Sequence, residues 1–198
     1  MSRPAVFLDR DGTMNVDVGY LSRLEELELY PYTADAIRLL RRAGFAVVVV
    51  TNQGGIGRRM INAPFVQRLH EEIARRLDAA GAHVEQWYSC PHHPAALEPT
   101  LRVADCRCRK PAPGMIEDAA RDLDLDPSRS WVVGDKWLDV DLGHAVGARS
   151  ILVRTGWGAE QETARPAGQR VEAICDSLAA AVALILGTSG RVNAQARR

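Results

Sequence analysis

The sequence predicts an α/β fold, a doubly wound, Rossmann-like parallel sheet. Short apolar runs alternate along the whole chain with segments whose apolar residues recur at helical spacing. One run, Phe45 to Val50 (FAVVVV), is unbroken and mostly β-branched, as strands buried on both faces of a parallel sheet are. Unusual polar residues gather just after each run, at the carboxyl ends of the strands, where open α/β sheets hold their ligands.

Ala5 to Leu8 is strand-like and stops at Asp9. Ala36, Ile37, Leu39, Leu40 and Ala43 then share helical spacing, with Thr33 as the expected N-cap and Gly44 at the helix end; the FAVVVV run completes a βαβ unit. Asn62-Ala63-Pro64 opens a second helix carrying Phe65, Leu69, Ile73 and Leu77, closed near Gly81, before a strand at Val84 to Tyr88. After an irregular stretch, Met115 to Leu123 reads as helix, Trp131 to Val133 as strand, Leu138 to Val146 as helix and Ser150 to Val153 as strand. A last helix is expected to carry Val171, Ile174, Leu178, Val182 and Ile185 in one stripe, with Cys175 on its apolar side, and to cover the sheet. Residues 1–187 then form a single domain, and 188–198 read as a flexible tail.

At 198 residues the chain is long enough to bury a sizeable core. Its 25 basic and 25 acidic residues balance, so net charge makes no case for nucleic acid or membrane as a partner. No apolar stretch approaches the roughly 18 residues of a membrane span. Met1-Ser2-Arg3-Pro4 leads into a strand without a secretory apolar region, so a cytoplasmic protein, taken as a monomer, is expected. All the basic residues are Arg except Lys110 and Lys136, which marks those two positions as places where a compact ammonium is wanted.

Chemistry concentrates at the strand ends. In Asp9-Arg10-Asp11-Gly12-Thr13 the two carboxylates stand at i and i+2 and can point into one site while Arg10 points away. Val50 leads into Thr51-Asn52-Gln53-Gly54-Gly55, whose hydroxyl and glycine-rich backbone can hold phosphate oxygens. Lys110 precedes Pro111 and a helix; Asp135 and Asp139 follow the fourth strand at helical spacing. An Asp-Gly turn, a helix cap, a solvated lysine and an acidic helix start explain each feature separately, but their joint occurrence at four strand ends points to one site. Together they compose a phosphoryl-transfer centre. Asp9 is the expected nucleophile and Asp11 the acid and then base. Mg²⁺ would sit on Asp9, Asp135 and the Asp11 carbonyl, with Asp139 behind, while Lys110 and Thr51 offset the phosphoryl charge.

In this order, Asp9-Arg10-Asp11-Gly12-Thr13, Thr51, Lys110 and Gly134-Asp135-x-x-x-Asp139 resemble the four motifs of the haloacid dehalogenase superfamily of phosphatases, over about residues 5 to 155. No segment is long enough for a large cap domain, so the resemblance implies a minimal-cap member with an open site. More narrowly, FLDRDGT, VVVTNQ, CPHHP, CxCRKP and GDK resemble the heptose-bisphosphate phosphatase family. That likeness implies removal of the 7-phosphate of a sugar bisphosphate in ADP- or GDP-heptose biosynthesis. It places the substrate contacts on Asp17, Val18, Gly19, Tyr20, Thr51, Asn52, Gln53, Gly54, Arg109 and Lys136. Gly54 departs from the Ser expected there, and the Arg58-Arg59 pair from a single basic residue.

The irregular stretch carries Cys90 and His92, then Cys106 and Cys108. Three thiolates and one imidazole satisfy a tetrahedral Zn²⁺, whereas a Cys106–Cys108 disulfide would close a strained ring. Zinc would order the loop 90–110 and fix Arg109 and Lys110 just beyond the last ligand; His93 reads as a bystander. Two rivals to the heptose reading are a histidinol-phosphate phosphatase, related but with a shorter span between the His ligand and the CxC pair, and a phospho-accepting receiver module. Asp11 argues against the receiver, because an acid/base beside the nucleophile serves to destroy an aspartyl-phosphate.

Overall fold

The computed structural model describes residues 2–195. Six parallel strands form one sheet: β1 (Ala5–Leu8), β2 (Ala46–Asn52), β3 (Gln86–Cys90), β4 (Trp131–Gly134), β5 (Arg149–Val153) and β6 (Ala173–Cys175), in the order β3-β2-β1-β4-β5-β6. The helices are α1 (Thr33–Arg42), α2 (Ala63–Ala79), α3 (Gly114–Leu123), α4 (Trp137–Ala145), α5 (Gly158–Thr163) and α6 (Leu178–Gln195). Alternate strand residues feed two cores, as the period of two requires. Val6, Leu8, Val47, Val49 and Val133 meet Ile37 and Leu40 of α1, Leu69 and Ile73 of α2, and Val182 of α6. Ala5, Phe7, Val48, Val50 and Val132 meet Met115 and Ile116 of α3 and Leu142 of α4. The doubly wound architecture is therefore as expected.

Several local readings change. Thr33 does not cap α1; it is the first helical residue, and its buried hydroxyl donates to the Met14 carbonyl (2.7 Å), tying the helix to the loop after β1. Asn62 does cap α2, accepting from the Phe65 N–H (2.8 Å). β3 starts two residues later than expected, because the Glu85 carboxylate takes the Val47 N–H (2.7 Å) that the ladder would otherwise use. The stripe from Val171 to Ile185 is not one helix. Residues 173–175 form β6, Cys175 lies in that strand as part of the core, and the helix begins only at Leu178. α6 continues through Gly187 to Gln195, and the last part of the expected tail, 196–198, lies outside the described residues.

Candidate active site

Two adjacent strands deliver the acids. Leu8 of β1 is in register with Val133 of β4, and the Asp9 N–H donates to the Val133 carbonyl (2.9 Å), so Asp9 and Asp135 leave the sheet side by side. This is where the strand order reverses, the crevice in which doubly wound sheets bind ligands. Asp139, in the first turn of α4, completes a buried cluster whose carboxylate oxygens lie within 4.8 Å of one another. Glycines make the room: a Cβ at Gly12 would stand 2.2 Å from Asp135 Oδ2, and one at Gly134 2.3 Å from the Asp139 carboxyl.

Lys110 neutralises part of this charge. Its buried ammonium lies 2.8 Å from Asp9 Oδ1 and 2.6 Å from Asp139 Oδ1, and donates to the Val50 carbonyl (3.0 Å). Burial opposes its charge, but Asp139 and Asp9 outweigh that cost and hold its pKa above the ordinary lysine range. Burial, reinforced by Asp9, pushes Asp135 up to about 7; burial pushes Asp139 up to about 6 despite Lys110. Asp135 Oδ2 accepts from the Trp157 N–H (2.9 Å), while its Oδ1 is buried without a hydrogen-bond partner. A buried carboxylate oxygen with no hydrogen bond, and with the Lys136 ammonium 3.5 Å away, is costly among three acids and well matched to a hard divalent cation, so Asp9 and Asp135 fit Mg²⁺, with Asp139 turned to Lys110 and to the Lys136 N–H (3.2 Å).

Asp11 lines the same cleft, but its carboxylate stands outside the three-acid cluster. Arg10 does not point away as the alternation suggests. Its side chain, only 2% exposed, folds back onto Asp11 through Nε (3.0 Å) and Nη2 (2.6 Å). Asn15 Nδ2 and Gln53 Nε2 donate to the same carboxylate, each at 3.0 Å. Burial works against the charge, yet Arg10, Asn15 and Gln53 prevail and hold the Asp11 pKa below the usual carboxylate range. Gln53 also donates to the Thr51 hydroxyl (2.9 Å), so it joins the two groups from behind.

The cleft above these groups has a volume of about 300 Å³. Of the expected substrate contacts, Asp17, Gly19, Tyr20, Thr51, Asn52, Gly54, Arg109 and Lys136 line it; buried Gln53 and exposed Val18 do not. Asn52 grips Lys110 through both backbone groups, accepting from its N–H (3.0 Å) and donating to its carbonyl (3.2 Å). Lys136 Nζ faces Asp17 (3.3 Å) and Asp135 (3.5 Å), and Asp17 also accepts from the Trp157 indole (3.0 Å). Trp157 is thus a wall of the site, whereas Trp137 packs into a small core with Val140 and Leu152. Sequence reasoning undervalued His93, which also lines the cleft. Its ring closes on Gly54, where a Cβ would meet His93 Cδ2 at 2.9 Å and Arg109 Nη1 at 3.2 Å. The missing serine at 54 is what lets these two side chains approach, and the signal was present in that departure.

The Cys/His cluster stands beside this wall. Cys90 closes β3, in register with Asn52, so one ligand position is set by the sheet. His92 Nδ1 lies 3.5, 3.0 and 3.3 Å from the sulfurs of Cys90, Cys106 and Cys108, and the sulfur pairs 90–106 and 106–108 are 3.6 and 3.4 Å apart. A tetrahedral zinc with Zn–S near 2.3 Å has sulfur–sulfur edges of about 3.8 Å, so the four atoms fit that ion and lie far beyond disulfide bonding. Arg109 Nη1 donates to the His92 carbonyl (2.9 Å), tying the last basic residues to the cluster.

Comparison with known proteins agrees with this geometry. Residues 107–181 match the HAD-hydrolase-like family model, and residues 22–138 match that of the polynucleotide kinase 3 phosphatase. The chain is 42% identical over 186 residues to the D-glycero-D-manno-heptose-1,7-bisphosphate 7-phosphatase of Thermosynechococcus vestitus, covering 92% of this chain and 95% of the relative. It is 43% identical over 157 residues to the D-glycero-beta-D-manno-heptose-1,7-bisphosphate 7-phosphatase of Escherichia coli K12, covering 78% and 81%. Among solved structures, the D,D-heptose 1,7-bisphosphate phosphatase of B. bronchiseptica, complexed with magnesium and phosphate, superposes with a TM-score of 0.81 at 32% identity, covering 93% of this chain and 99% of that one.

Proposed function

The chain belongs to the haloacid dehalogenase-like family of heptose-bisphosphate 7-phosphatases, and from that premise we propose that it hydrolyses the 7-phosphate of D-glycero-D-manno-heptose 1,7-bisphosphate through an aspartyl-phosphate on Asp9. The observation that carries this reading is the buried Lys110 ammonium shared by Asp9 and Asp139 at the floor of an open cleft. An anionic nucleophile meets an anionic phosphate only where positive charge is already in place.

Asp9 Oδ attacks phosphorus and the bond to the sugar oxygen breaks; Asp11, ionised in the empty site, takes up a proton as the dianionic substrate binds beside it and passes that proton to the departing alkoxide. Asp11 then takes a proton from the water that attacks the same phosphorus, releasing inorganic phosphate and restoring Asp9. Thr51 donates to a phosphoryl oxygen, and Lys110 holds countercharge against both the nucleophile and the transferring group. Asp9 and Asp135 would hold Mg²⁺, which would supply further countercharge between the two anions.

Specificity comes from the far end of the cleft. A second phosphate reaches Arg109, which the His92 carbonyl holds in place, and His93 beside it. The neutral net charge supports a small bisphosphate over a polynucleotide substrate. The test is a panel of heptose 1,7-bisphosphate anomers, histidinol phosphate and fructose 1,6-bisphosphate, ranked by kcat/KM. The heptose should lead; a preference for histidinol phosphate would overturn the assignment.

A further inference from the structure

One buried titratable group takes no part in the chemistry just described. His70, on the otherwise apolar inner face of α2, is 6% exposed, and its ring stacks on Trp87 with centroids 4.8 Å apart and planes 23° apart. Its Nε2 lies 3.1 Å from Arg10 Nη1. A guanidinium has no acceptor, so Nη1 donates and Nε2 accepts, which makes the imidazole neutral with its proton on Nδ1. Burial and then Arg10 push its pKa down to about 3, in keeping with that form.

The remaining donors of Arg10 that matter here, Nε and Nη2, fork onto Asp11. Asn15 and Gln53 occupy the rest of the carboxylate, so its four lone-pair directions are filled. To give or take a proton, Asp11 must exchange one of these contacts for the leaving oxygen or the attacking water. If the Arg10 fork stays fixed, the exchange is made at Asn15 or Gln53 without rotation of the carboxylate; if the fork drifts, the whole group does. At the outer edge of the guanidinium, away from the fork, Nη1 meets His70 Nε2 at 3.1 Å.

We propose that His70 is a positioning residue: by accepting the outer N–H of Arg10 it locks the fork that aims Asp11 through both proton transfers. This rests on the reading of Asp11 as the proton-transfer group. It assigns a role to α2, which carries no part of the reaction site otherwise.

The test compares His70→Phe, which keeps the stack on Trp87 but removes the acceptor, with His70→Gln, which returns a neutral acceptor near the Nε2 position. With heptose 1,7-bisphosphate, His70→Phe should lose roughly 10- to 100-fold in kcat with KM within twofold, and His70→Gln should recover most of it. Acetyl phosphate isolates the second step, since departing acetate needs no proton from Asp11. Acid-quenched His70→Phe should then carry a phosphoryl adduct by intact mass in a larger fraction than the native enzyme. Unchanged kcat in folded His70→Phe, equal losses in the two variants, or a loss confined to KM would each overturn the proposal. If His70→Phe does not fold, His70→Asn, whose acceptor is drawn back by one methylene, takes its place, and equal rates for Asn and Gln would overturn it. Absence of any adduct in the native enzyme, in His70→Phe and in Asp11→Asn alike would instead remove the covalent reading beneath it.

Discussion

The acid cluster and the Cys/His cluster lie on either side of Lys110 and are built on opposite principles. Asp9 and Asp135 are placed by neighbouring strands of a buried parallel sheet, and Lys110 pairs with Asp9 and Asp139 through short ion pairs. The sheet and the lysine set that geometry, and a cation there would complete a charge balance. Of the soft ligands only Cys90 is placed by the sheet, while His92, Cys106 and Cys108 sit on an irregular loop. There an ion on the four ligands would tie the loop to the core that Cys90 already joins. One region is a site that a fold makes, and the other is a fold that a site makes.

The sharpest way to test this contrast is Asp9→Asn. It should lower kcat by roughly 10⁴-fold or more while zinc content and Tm stay near native values, because the sheet, not the carboxylate charge, sets the position. Loss of zinc in this variant would show that the two regions are one. Cys108→Ser is the converse. Elemental analysis should fall from one zinc per chain towards none, and Tm should drop by about 6–12 °C for a loss of order 3 kcal/mol. Activity should also fall roughly 10²-fold because Lys110 follows the last ligand by two residues. A zinc-free variant with native kcat would break the link between loop and chemistry.

Arg109→Ala separates the regions more finely. A charge-assisted hydrogen bond is worth about 1.5–3 kcal/mol, so kcat/KM on the bisphosphate should fall roughly 10- to 150-fold with a generic monophosphate nearly unaffected, while Lys110→Ala impairs both. Equal losses on both substrates in Arg109→Ala would move that residue into the chemical step. At any one pH near neutrality the smallest effect is a pH dependence confined to the acids. Without metal, Asp135 titrates near 7 and Asp139 near 6, against about 3.8 when unfolded, so the folded state holds extra protons between pH 4 and 7. The stability of the metal-free protein should therefore fall as pH rises through that window. Mg²⁺ affinity should rise by up to about tenfold per unit over the same range and level off above pH 7, since proton and cation compete for Asp135. Zinc occupancy, followed in parallel, should not track this profile.

The sheet was legible wherever a strand is a short β-branched run bounded by turn residues, as at Phe45 to Val50. It was not legible at β6, where three residues are too few to show a period and Val171, Ile174 and Leu178 imitate a helical stripe across a strand–helix junction. The acids, the lysine and the soft ligands were legible because each is chemically conspicuous at a strand end or in a short spacing. The surroundings of Asp11 were not: Arg10 and Asn15 come from the loop after β1, Gln53 from the loop after β2 and His70 from the middle of α2. Nothing in local spacing brings those four together; only tertiary packing does.

Gly12, Gly134 and Gly156 contribute no functional group, yet each borders a volume that a carboxylate already fills: a Cβ on any of them would fall within 2.3 Å of a carboxylate atom of Asp135 or Asp139. The interior of the site thus has no spare space into which a longer acid or a different nucleophile could be introduced one substitution at a time. At Gly54, by contrast, the obstructing neighbours are the ends of the His93 and Arg109 side chains, which can swing aside. Descent from a common ancestor would therefore leave the reaction frozen and let the choice of substrate drift, with variation collecting along the rim of the cleft.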